Sequence, residues 1–115
     1  MRSQLEYFID GEGIVNINVA DAGGTSKVCP EAGIVVEIAY TITSAATTVP
    51  HTFDVMKNNQ DTGVDALLPV TLQGGGGLMN LTGQVEVADN DIVRLISNGE
   101  TGNTPDVYFT WIIRR

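Results

Sequence analysis

The segment "GIVVEIAYTIT" (Gly33–Thr43) constrains the fold more than any other, because apolar side chains recur in it at every second position. Ile34, Val36, Ile38, Tyr40 and Ile42 share that phase, which predicts one face of a long β-strand. The same period marks Gln4–Ile9 (Leu5, Tyr7, Ile9) and Gly13–Ala20 (Val15, Ile17, Val19). It returns in His51–Lys57 (Phe53, Val55), in Gln84–Val87, and in Val107–Arg115, where Phe109, Trp111 and Ile113 oppose Tyr108, Thr110 and Ile112. In Ala66–Gln73, Leu68, Val70 and Leu72 alternate, and Pro69 demotes that run to an edge strand or a bulge. Helical periodicity is nearly absent. Turn clusters punctuate the runs: "DGEG", "DAGGTS", "KNNQDTG", "QGGGG", "ADND" and "SNGETGNTPD". The expectation is an all-β, single-domain antiparallel β-sandwich of about eight strands over residues 1–115. Residues 1–10 are expected to form either its first strand or an arm that pairs with a neighbour.

At 115 residues the chain is long enough for one core and too short for two. With 43% apolar and 17% charged residues, the composition is that of a globular chain. The net charge of −8 and the dispersed bases (Arg2, Lys27, Lys57, Arg94, Arg114, Arg115) argue against nucleic acid or an anionic membrane surface as partner. No apolar run approaches the ~18 residues of a membrane span, and no apolar leader follows Arg2. A single cysteine, Cys29, excludes an intrachain disulfide. A soluble protein made in a reducing cytosol is expected.

Chemistry-bearing motifs are sparse. The run Gly74–Gly77 lacks the following lysine and helix of a phosphate loop, so it is expected to be a turn or hinge. His51, the sole histidine, is expected in a loop or at a rim, and Cys29 is expected to be a buried thiol. Together they supply too few ligands for zinc. Asp89, Asp91 and Asp106 are the only candidates for a loose calcium site, because "DNDIV" departs from a calcium-loop pattern after Asp91. Asn90 suits a left-handed turn. No catalytic, cofactor or metal residues are assigned, and no enzyme is expected. Trp111 belongs to the core, whereas Tyr7 and Tyr108 are candidates to face a partner or a sugar. In "DIVRLIS" (Asp91–Ser97), Val93 and Leu95 form one apolar face, and Ile92, Arg94 and Ile96 form a second, mostly apolar one. A sheet with one wet face should alternate cleanly, so a doubly apolar strand predicts a covered second face. Ile112 has the same property. A second subunit is the favoured cover.

Four segments carry a family likeness: "PEAGIVVEIAYTIT" (Pro30–Thr43), "FDVMKNNQDTG" (Phe53–Gly63), "VEVADNDIVRLISNG" (Val85–Gly99) and "YFTWIIRR" (Tyr108–Arg115). Together they resemble the small jelly-roll cement or decoration proteins of tailed bacteriophages. Asn59 and Asn90 stand where that pattern has glycine. The resemblance implies a structural, non-catalytic virion protein on the capsid exterior, made in the host bacterial cytoplasm. It would bridge major capsid proteins and associate with itself as a dimer or trimer. The interface candidates are Leu5, Tyr7, Phe8, Ile92, Arg94, Ile96, Tyr108 and Ile112. The alternative is the receptor- or glycan-binding head of a phage fibre or spike, built on a similar jelly roll.

Overall fold

The computed structural model describes residues 5–100 and 105–115. Its strands are β1 (Glu6–Ile14), β2 (Lys27–Val28), β3 (Gly33–Thr43), β4 (His51–Lys57) and β5 (Gln60–Leu68). Then follow β6 (Gly76–Leu81), β7 (Val85–Val87), β8 (Ile92–Ser97) and β9 (Asp106–Arg114). All pairings are antiparallel, in the order β1-β9-β3-β6-β5-β4-β8-β2, with β7 also on β3. β6 belongs to both layers: Gly76–Met79 pair with β3, and Asn80–Leu81 pair with β5. One sheet therefore holds β1, β9, β3 and β7, the other β5, β4, β8 and β2, and β6 crosses between them. This is an antiparallel, jelly-roll-like β-sandwich.

The inward faces meet in one core. Trp111, Phe53, Ile38, Ile42, Val55, Leu95 and Ile113 are buried there, with Cys29 beside them as a packed thiol. Phe109 meets Trp111 edge-on, centroids 5.9 Å apart at 73°, the arrangement favoured by ring quadrupoles.

Several expected features differ from those observed, each for a local backbone reason. In β3 the register shifts between Val35 and Glu37, so an extra residue reverses the alternation. Val35 is fully buried, while Ile34 and Val36 are only half-buried, and the expected phase holds from Ile38 onward. "DGEG" is not a turn. It is a bulge in β1 between Asp10 and Glu12, with Glu12 at φ 62°, and it carries the strand on to Ile14. A Cβ on Gly11 would lie 2.3 Å from the Phe109 ring, so the bulge needs glycine. The strand expected over Gly13–Ala20 ends at Ile14. Asn16 turns the chain at φ 52° and donates its backbone N–H to Asp106, leaving Val15 exposed and Ile17 buried.

"KNNQDTG" holds only a two-residue turn. Asn58 and Asn59 both have positive φ (51° and 65°), the requirement of the mirror-image hairpin turns, and β5 begins at Gln60. β5 lies between β4 and β6 rather than at an edge, and it ends at Leu68, directly before Pro69. The glycine run is half turn and half strand. Gly74 takes φ 80°, whereas Gly76 and Gly77 pair with Thr41 and Tyr40. A Cβ on Gly76 would come within 2.3 Å of the Tyr40 carbonyl oxygen, so close strand approach is what requires glycine there. Glu6 to Ile14 pair with β9 of the same chain, so this segment is the sheet's first strand and not an arm; residues 1–4 lie outside the described residues.

Candidate functional site

β9 lies between β1 and β3, and its alternation sends Tyr108, Thr110 and Ile112 to the outer surface of that sheet. Register then decides their neighbours. Phe8 lies opposite Ile112, Asp10 opposite Thr110, and Gly13 opposite Tyr108. On the other side Ile112 faces Glu37, Thr110 faces Ala39, and Tyr108 faces Thr41, with Leu78 beyond Ala39. Phe8 is 65% exposed, Tyr108 56% and Leu78 48%. At ~3.4 Å per residue, Tyr108 and Phe8 stand about 14 Å apart along the strands. A Cβ on Gly13 would sit 2.9 Å from Tyr108 Cε1, so the missing side chain is what gives the ring its place. A groove of about 190 Å³ lies beside the Tyr108 ring, lined also by Asp10, Ala39, Thr41 and Thr110, and Phe8 is exposed on the same sheet face outside that lining. Asp10 spends one carboxylate oxygen on the Glu12 N–H and is otherwise turned to the groove. Where β6 parts from β3 the surface opens into a second cleft of about 480 Å³, with Glu37, Leu78, Asn80 and Gln84 in its walls.

The eight interface candidates therefore separate. Phe8, Tyr108 and Ile112 share this face. Leu5 is exposed just before β1, and its carbonyl accepts the Arg115 N–H. Tyr7 points the other way, against the core. Its hydroxyl donates to the Glu31 carbonyl, and the Arg115 guanidinium lies 5.2 Å from its ring. Burial, more than any other influence, raises the Tyr7 pKa above that of an ordinary tyrosine. Ile92, Arg94 and Ile96 lie on the outer face of the other sheet, with Ile92 40% exposed. Asp10, Thr41 and Thr110 are the polar groups of the groove that the sequence pattern did not reveal.

The three aspartates proposed for calcium do not meet. Asp89 accepts the Ala32 N–H just before β3 begins, whereas Asp106 pairs with Thr43 at its end, about 30 Å away at strand rise. Asp91 accepts from the Ala88 N–H and from the Asn58 amide, which lower its pKa. Among the described residues no group of three His, Cys, Asp or Glu side chains is placed to hold a metal. Asn90, at φ 70°, is the left-handed turn residue expected.

His51 is not at a rim. It is the first residue of β4, in phase with Phe53 and Val55, and only 2% exposed. Nδ1 lies 3.0 Å from the Val49 carbonyl oxygen and Nε2 2.5 Å from the Asn18 side chain. Both ring nitrogens face oxygens, Nε2 that of the Asn18 amide, so a neutral ring donating from Nδ1 can accept at Nε2 only with the Asn18 amide turned to present its nitrogen. Burial lowers the His51 pKa, with the Val49 carbonyl and Glu100 opposing. The folded state thus binds fewer protons than the unfolded one just below the ordinary histidine value of about 6.5. The stability due to the neutral ring is complete above that value and declines as pH falls through it. Urea midpoints should therefore drop between pH 7.5 and 5.5 in the native protein, and His51→Gln should flatten that dependence. An equal drop in both proteins would assign it to other groups.

No protein-family model matches the sequence, and no curated protein matches it. Solved structures do match in fold. One is a Podospora anserina GH26-CBM35 β-(1,4)-mannanase, with a TM-score of 0.59 at 10% identity over 96% of this chain. This chain spans only 28% of the mannanase chain. Another is the carbohydrate-binding module CBM36 in complex with calcium and xylotriose, with a TM-score of 0.55 at 9% identity. It covers 92% of this chain and 97% of the module. At such identities the likeness is one of fold.

Proposed function

We propose that this β-sandwich binds a carbohydrate, without catalysis, on the outer face of β1, β9 and β3. The observation that carries the reading is the exposed Tyr108 ring at a polar groove, with Phe8 exposed about 14 Å along the same sheet face. Aromatic faces accept the apolar C–H faces of sugar rings, and a few placed polar groups fix orientation. Here the Asp10 carboxylate and the Thr41 and Thr110 hydroxyls fill that role, and the span between the rings suits a short oligosaccharide. Asp10 is the one carboxylate lining the groove among the described residues, which favours binding over hydrolysis by a carboxylate pair. The similarity of fold to a carbohydrate-binding module is consistent with this reading. A glycan array followed by calorimetry on the strongest hit tests it. Saturable binding of an oligosaccharide is expected, and silence across the array would overturn the proposal.

A second reading follows from the exposure of Leu5, Phe8, Leu78 and Ile92. In it, these apolar side chains are buried against a capsid protein or a second copy of this chain, as a decoration protein on a virion requires. Co-sedimentation with undecorated phage shells is its test. Absence from the pellet removes it.

A further inference from the structure

The opposite sheet carries a cavity of its own. It holds about 330 Å³ and is lined by Ser26, Met56, Asn58, Asn59, Ile92 and Arg94. That volume is within the roughly 300–1,000 Å³ of small-molecule sites. Met56 pairs with Arg94 across β4 and β8, so the guanidinium rises beside an apolar wall of Met56 and Ile92.

The polar lining divides into groups already engaged and groups left open. Asn58 is engaged at both ends of its amide, accepting the Ile92 N–H and donating to Asp91. Arg94 donates from Nε to the Gly24 carbonyl at 2.9 Å, and its side chain lies across Gly23, where a Cβ would come within 2.4 Å of a terminal nitrogen. This anchors the guanidinium while its terminal amino groups meet no protein acceptor among the described residues. Arg114 and Arg115 both pair with glutamates, whereas Arg94 has no carboxylate within ion-pair distance among the described residues. The side chains of Ser26 and Asn59 make no hydrogen bond to protein among the described residues and face the same cavity. Asn59 sits at φ 65°, where glycine would be the easier residue, so the position carries an amide at some cost in backbone conformation.

We propose that this cavity is a binding site for a small organic carboxylate, with Arg94 pairing the carboxylate, Asn59 and Ser26 hydrogen-bonding it, and Met56 and Ile92 packing against its body. A fixed guanidinium presents parallel N–H donors that match a carboxylate. The net charge of −8 opposes anions in proportion to their charge, so among carboxylates a singly charged one is opposed least. The site is on the face opposite the aromatic groove and does not rest on the sugar reading.

The test is an amide and Arg Nε–H NMR titration with D-glucuronate, with N-acetyl-alanine, and with D-glucose as the neutral control. The first two present a carboxylate on a sugar and on a peptide-like body, so the stronger one identifies the source. Saturable shifts at Arg94, Ser26 and Asn59 are expected with at least one carboxylate and not with glucose. Arg94→Gln should weaken that binding by about tenfold or more. Because Arg94 is anchored to Gly24, Asn59→Gly is the second variant. Glycine suits the turn, so the melting temperature should hold or rise while affinity falls several-fold. Shifts equal for glucose and both carboxylates, shifts that never saturate, or unchanged affinity in both variants would overturn the proposal.

Discussion

Replacing Trp111 with alanine is expected to destabilise the fold by about 3–5 kcal/mol, the range for removing a large buried aromatic. Against a total of roughly 5–15 kcal/mol for a small domain, that is a large share. Trp111 is fully buried on the central strand of its sheet, opposite Ile38 in β3 and Ile9 in β1, and its ring meets Phe109 edge-on. The cavity left behind is bounded by strands fixed on both sides, so collapse offsets little of the loss. The indole N–H of Trp111 has no hydrogen-bond partner among the described residues. An unsatisfied buried donor costs about 1–3 kcal/mol. Trp111→Phe keeps most of the ring and removes that donor, so it should lose less than half as much stability as Trp111→Ala. Urea unfolding followed by far-UV circular dichroism checks both. Equal losses in the two variants would show that the N–H is satisfied in solution.

The core was legible because β9 and most of β3 alternate without interruption; Phe109, Trp111, Ile113, Ile38, Tyr40 and Ile42 fall where period two puts them. What escaped were single-residue insertions into strands. The bulge at Val36 reverses the phase of the first turns of β3, and that at Gly11 joins two runs that looked separate. Nothing in the local pattern distinguishes such a bulge from a turn, since its stability comes from the partner strand. His51 is different: it stands in period-two phase with Phe53 and Val55, and the strand begins at His51 itself, directly after Pro50. The groove was half legible. Tyr108, Phe8 and Ile112 could be picked as outward aromatic or apolar residues. Their meeting with Asp10, Thr110 and Thr41 depends on the registers of β1, β9 and β3, which join residues roughly 70 to 105 positions apart.

Substituting both Phe8 and Tyr108 with alanine is expected to abolish oligosaccharide binding while leaving the fold almost unchanged. Both rings are mostly exposed, so each replacement should shift stability by no more than about 0.5 kcal/mol. A ring that anchors a ligand contributes about 2 kcal/mol or more at a binding hot spot, roughly thirtyfold each in affinity. Two such losses carry a weak sugar complex beyond detection by calorimetry. The same double variant would also weaken a protein–protein contact through this face, so the discriminating change is polar. Asp10→Asn keeps the shape of the groove and an acceptor for the Glu12 N–H, but removes the charge that strengthens a hydrogen bond from a sugar hydroxyl. It should lower sugar affinity about tenfold and leave an apolar association of this face intact or stronger. Calorimetry and sedimentation on the one variant then separate the two uses of the surface. If Asp10→Asn leaves sugar affinity unchanged while Phe8→Ala with Tyr108→Ala disrupts self-association, the aromatic pair belongs to an interface and the carbohydrate reading of this face fails.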